Sequence, residues 1–99
     1  MRMLLKVSMP VDKGNAAIKS GALKRTIQST MEALKPEAAY FCPDENGKRS
    51  SFMVFDMKES WQLPTILEPL FQELGASIHV MPVMNSEDLQ RGFGLRSAG

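Results

Sequence analysis

His79 is the only histidine among the 99 residues, and the only side chain whose ordinary pKa lies near neutrality. It falls in an extended segment, with Ile78 and Val80 directed to one face and His79 and Met81 to the other. From there it could act as a general base or meet a ligand where two copies join, although a lone histidine on a strand is more often structural. Tyr40 is the other side chain placed to handle a proton. Lys6 and Ser8 alternate with apolar residues on the first strand and point away from the helices. A lysine there either pairs, most simply with an acid across an interface, or contacts a ligand. Trp61 precedes the second helix, where it could gate a pocket between sheet and helices. Tyr40, Phe41, Phe52, Phe55, Trp61 and Phe71 supply aromatic surface for such a pocket, though most aromatic side chains belong to a core.

Other chemistries are poorly served. A metal needs several ligands at fixed spacing, and His79 has neither a second histidine nor an acidic cluster near it, so no metal and no cofactor are expected. Cys42 would need a base beside it to become a nucleophile. It falls on the second strand and His79 on the fourth, opposite edges of the expected sheet, which argues against a Cys–His pair. Asp56, ending the third strand, reads as an organiser of the following loop. Gly92-Phe93-Gly94 follows a polar segment and opens no helix, so it is no phosphate loop.

The elements that position these residues follow from periodicity. Met3, Leu5, Val7 and Met9 alternate with Leu4, Lys6 and Ser8 as a strand with one buried face, ended by Pro10. Gly14-Asn15 reads as a turn, with Asn15 capping a helix from Ala16 in which Leu23, Ile27, Thr30, Met31 and Leu34 share a stripe. Gly21 inside it costs about 1 kcal/mol against alanine, which suggests a close backbone approach. Pro36 ends that helix. Ala38 to Pro43 is a second strand, and Asp44-Glu45-Asn46-Gly47 is a tight hairpin turn into a third, Arg49 to Met57. Phe52-Met53-Val54-Phe55 is apolar on both faces, so both sides of this strand should be covered. Ser60 is the expected cap of a helix with Ile66, Leu67, Leu70, Phe71 and Leu74 as its stripe. Pro69 should kink or delay it, and Gly75 stops it. Ala76 to Met84 is the last strand, Ser86-Glu87-Asp88 one short helical turn, and 91–99 a flexible tail.

Strand–helix–strand–strand–helix–strand in one domain over 1–90 is the order of an α+β, ferredoxin-like βαββαβ fold. Right-handed crossovers then put two helices on one face of a four-stranded antiparallel sheet. The other face would expose Leu4, Met81, Val83 and half of the third strand, and an exposed apolar sheet face marks an interface. The economical occupant is a second copy, giving a homodimer.

Composition limits the partners. Apolar residues at 43% and charged residues at 23% fit a folded domain, and a net charge of +1 gives no bulk attraction to nucleic acid or anionic membrane. RNA-recognition domains share the element order, but Lys48-Arg49-Ser50-Ser51-Phe52-Met53-Val54-Phe55 has serine where a stacking aromatic belongs, and the first strand has none. No stretch is long and apolar enough to span a membrane, and Lys6, Pro10, Asp12 and Lys13 interrupt any secretory signal. With one cysteine, a reducing, cytoplasmic location is expected.

Lys6-Val7-Ser8-Met9-Pro10-Val11 before Gly14-Asn15, Thr26-Ile27-Gln28, Leu34-Lys35-Pro36-Glu37-Ala38-Ala39-Tyr40-Phe41, Glu68-Pro69 and Pro82-Val83-Met84 give the chain a further likeness. To about Leu89 it resembles a group of small uncharacterised bacterial proteins. More loosely it resembles the dimeric α/β-barrel superfamily, which includes cofactor-independent monooxygenases, isomerases, haem-degrading enzymes and effector-binding domains. The resemblance implies the fold and the homodimer and carries over no catalytic residue. Together these readings suggest a homodimeric small-molecule-binding or regulatory domain for a small apolar or aromatic ligand. The alternatives are a cofactor-independent oxygenase or isomerase using His79 or Tyr40, and a structural subunit assembling through the open sheet face.

Overall fold

Alternation along the first strand is realised residue by residue. In the computed structural model, which describes residues 1–94, β1 (Arg2–Ser8) buries Met3, Leu5 and Val7 while Leu4, Lys6 and Ser8 remain half-buried on its other face. β1 pairs antiparallel with β3 (Arg49–Asp56) on one side and β4 (Ser77–Pro82) on the other, and β2 (Ala38–Pro43) pairs with the outer edge of β3. The strand order is β2-β3-β1-β4, which with its helical crossovers is the ferredoxin-like α+β fold. Leu5 stands between Met53 and Val80, and Met3 between Phe55 and Pro82. These side chains meet Leu70 and Leu74 of α3 (Leu63–Leu74) in the core, where Leu5, Met53 and Leu70 have no exposed surface. Burying a side chain of that size contributes about 1.5–3 kcal/mol.

The first crossover differs from the single helix expected from Ala16. α1 (Val11–Ser20) begins five residues earlier, directly after Pro10, whose carbonyl accepts from the Gly14 N–H at 2.9 Å. Gly14 and Asn15 are therefore helical rather than a turn, and Asn15 caps nothing. Gly21 adopts φ +81°, closes α1, and α2 (Ala22–Leu34) starts at once in a new direction. A left-handed residue suits glycine because it has no Cβ to clash with the following carbonyl. An added Cβ at Gly21 would stand 3.1 Å from Arg25 Nη1, and one at Gly14, closer still, 2.8 Å from Arg49 Nη1 and 3.3 Å from Met9 Cγ.

The hairpin between β2 and β3 forms where Asp44-Glu45-Asn46-Gly47 placed it. Asp44 Oδ1 accepts from the backbone N–H groups of Lys48 at 3.0 Å and Asn46 at 2.9 Å, and Gly47 takes φ +74°. The bond from Lys48, then that from Asn46, holds the Asp44 carboxyl below its ordinary pKa. Entry to α3 is capped by Glu59 and Gln62 in a reciprocal box around a 3-10 turn (Ser60–Gln62), not by Ser60. Pro69 leaves α3 helical throughout, because it lies on the exposed face, where water can serve the carbonyl it frees. α4 (Ser86–Gly92) is longer than the single turn expected and is capped by Asn85 and Asp88. Of the tail expected over 91–99, residues 95–99 lie outside the described residues.

Candidate functional site

Strand register sorts the candidate residues by face. Tyr40 pairs with Phe52, Phe52 with Lys6 and Lys6 with His79, so these four form one row across the helix-free face. Lys6 Nζ lies 5.7 Å from the centroid of the Phe52 ring and 3.6 Å from Glu45 Oε1 of the hairpin. The lysine thus has an acid in its own chain and an aromatic face beneath it, a modest attraction at a partly exposed site. Ser8 continues that face one row on, between Ser50 and Ser77. Tyr40 is 68% exposed and Met81 43%.

The row also separates its ends. Tyr40 on β2 and His79 on β4 have β3 and β1 between them, and three spacings of about 4.8 Å put their backbones roughly 14 Å apart. No proton passes directly across that distance within one chain. Cys42, exposed on β2, is equally remote from His79. Trp61, 73% exposed in the 3-10 turn before α3, stands apart from the row.

The opposite side of the sheet holds a cavity of about 670 Å³, in the angle where α1 meets α2 above β2 and β3. Its apolar wall is made by Met9, Ile18, Leu23, Ile27, Phe41 and Pro43, with Lys24, Gln28 and Arg49 among its polar lining. Local structure explains why the space exists. α1 and α2 diverge at Gly21, itself part of the lining, so one continuous helix cannot cover the end of β2. Of the six aromatic residues expected around a pocket, Phe41 is the one that lines this cavity. His79, Tyr40, Lys6, Ser8 and Trp61 are not among its lining residues.

Ser51 is the residue that sequence reasoning did not single out. It sits on the helix-facing side of β3 between Val7 and Phe41, lines the cavity, and is 4% exposed. Its hydroxyl is buried without a hydrogen-bond partner. Buried hydroxyls are ordinarily bonded, so one left unpaired at a cavity wall needs an explanation. The sequence carried a signal in Ser50-Ser51, two polar residues directly before the apolar run Phe52-Met53-Val54-Phe55. Ser50 is satisfied by the Lys48 carbonyl at 3.2 Å, and Ser51 is not.

Among the described residues no group of three His, Cys, Asp or Glu side chains is arranged to hold a metal, and no helix is long and apolar enough to cross a membrane. What fold and cavity define together is a ferredoxin-like domain with an apolar recess between sheet and helices. No protein-family model matches the chain, and no curated protein matches it significantly. Among solved structures it is similar to 5-chloro-2-hydroxyhydroquinone dehydrochlorinase (TftG) from Burkholderia phenoliruptrix AC1100, in complex with 2,5-dihydroxybenzoquinone. The TM-score is 0.65 over 88% of this chain and 97% of that one, with 14% sequence identity. Likeness at that identity shows a shared fold.

Proposed function

We propose that this protein is a homodimeric small-molecule-binding domain, each protomer holding a small, partly apolar organic ligand in the cavity between α1, α2 and the β2–β3 hairpin. The cavity carries the reading. Its volume of about 670 Å³ falls in the range of ligand sites, and its wall is largely apolar. The similar fold of a dehydrochlorinase solved in complex with 2,5-dihydroxybenzoquinone supports small oxygenated rings as the first compounds to try.

The dimer is supported by the open face. Leu4, Phe52 and Val54 form its half-buried centre and Tyr40 and Met81 its exposed flanks. Packing that face on a second copy would bring two sheets about 10 Å apart and remove on the order of 800 Å² per protomer from water. The exposed thiol of Cys42 fits a reducing, cytoplasmic setting.

Thermal unfolding against a panel of hydroquinones, benzoquinones and simple aromatics tests the ligand. Binding raises the melting temperature by mass action, and Ile27→Trp, which fills the cavity, should abolish the rise while circular dichroism stays native. A panel without any shift, or a shift that survives Ile27→Trp, defeats the reading. Sedimentation tests the dimer separately. The wild type should sediment as a dimer and Phe52→Lys as a folded monomer, whereas a wild-type monomer at micromolar concentration removes the dimer.

A further inference from the structure

The polar lining of the cavity carries charge of one sign. Lys24 and Arg49 contribute to it and no aspartate or glutamate does. The ion pairs formed by side chains and the N-terminal amine among the described residues use Met1, Arg2, Lys6 and Lys58, and leave both of these cations without an acid. Arg49 is the more telling of the two. It is half-buried, it packs across Gly14 where no side chain intervenes, and the one hydrogen bond of its side chain is a long one from Nη1 to the Val11 carbonyl at 3.5 Å. A guanidinium has five N–H donors, and one long bond to the protein leaves most of them available to an incoming anion. Here that fork, open to solvent and without an acid, borders an apolar recess of ligand size.

We propose that the cavity is built for a small organic anion. Its apolar body, an aromatic ring or a short alkyl chain, lies among Ile18, Leu23, Ile27 and Phe41, and its carboxylate is held by Arg49 with Lys24 in support. Planar guanidinium matches a carboxylate in two parallel hydrogen bonds, which fixes the orientation of the whole molecule. This inference rests on the cavity being a ligand site and adds the charge of what enters it.

Calorimetric titration of the intact protein with matched probes tests it: octanoate against 1-octanol, and 1-naphthoate against 1-naphthamide. At least one carboxylate should bind about tenfold tighter than its neutral partner, as a charge-assisted pair at a partly exposed site provides. That preference should shrink as sodium chloride rises. The alkyl and aromatic pairs distinguish chain from ring. Arg49→Gln should remove the tenfold preference and leave the neutral probe within twofold, Arg49→Lys should keep part of it, and the exposed Lys24→Gln should lose less. Equal binding of acid and neutral partner overturns the proposal, and so does equal loss of both in Arg49→Gln. If quinones or simple aromatics bind and none of the carboxylates does, the anion is wrong and the ligand site stands. If nothing binds and Ile27→Trp changes nothing, both fall.

Discussion

Replacing Ser51 by alanine should make the ligand-free protein more stable, which is unusual for a change at a buried position. The Ser51 hydroxyl is buried and has no partner. Holding such a group away from water costs about 1–3 kcal/mol. Alanine removes that cost and leaves a void smaller than a methyl group, whose penalty is below about 1 kcal/mol. The balance favours alanine by roughly 1 kcal/mol, a rise in melting temperature of about 4–8 °C for a domain of this size. Urea unfolding followed by far-UV circular dichroism measures it, with an unchanged slope showing that the unfolded surface is the same. An alanine variant less stable than wild type by more than about 0.5 kcal/mol would show that the hydroxyl has a partner, and the reasoning from its burial would fail.

Other substitutions test the framework around it. Gly21→Ala forces a side chain to φ +81° with Arg25 Nη1 only 3.1 Å from the new Cβ, and should cost about 1–2 kcal/mol in chemical unfolding; an unchanged midpoint would mean the bend tolerates any residue. Phe55→Ala empties the largest fully buried site and should cost about 3–5 kcal/mol, with a smaller loss indicating that the sheet collapses onto the helices. The Asp56 carboxyl is lowered to about 2, first by Lys58 and then by the Met1 amine. Its folded pKa lies below its unfolded one, so its stabilisation is present above about pH 4 and lost as pH falls toward 2. Asp56→Asn should therefore be the weaker protein at neutral pH, and the difference between the two should close over that acid window. A constant gap down to pH 2 would show that the carboxylate charge is not what matters.

Strand content was legible because alternation and turn chemistry are local. Met3, Leu5 and Val7 announce the buried face of β1 without reference to the rest of the chain, and Asp44 to Gly47 write the hairpin in four residues. The doubly apolar Phe52-Met53-Val54-Phe55 was informative too: Met53 and Phe55 lie under the helices, and Phe52 and Val54 line the open face. The bend at Gly21 was not legible, because the apolar stripe continues from Ala22 to Leu34 at the same spacing and one left-handed residue changes direction without changing composition. Gly14-Asn15 misled for a similar reason. A glycine that usually signals a turn is here a helical residue, kept small by the Arg49 side chain that crosses it. The cavity was hidden because its walls come from positions 9 to 51 and exist only once that bend sets two helices at an angle. A buried hydroxyl without a partner, likewise, is a property of surroundings that Ser51 alone does not disclose.

Cavity and fully buried core are almost disjoint sets of residues. Of the apolar core that runs from Met3 through Leu74 to Ala76, only Met9 also faces the cavity, while Leu23 and Ile27 pack at the border between the two. Changes at Ile18, Phe41, Pro43, Lys24 or Arg49 therefore leave the residues that fold the domain untouched. Most proteins stand only slightly above the stability they need, and a site embedded in the core drifts at the risk of unfolding. Here the risk is uncoupled: the recess is free to vary its specificity over generations, or in a designed library, on a scaffold that does not notice.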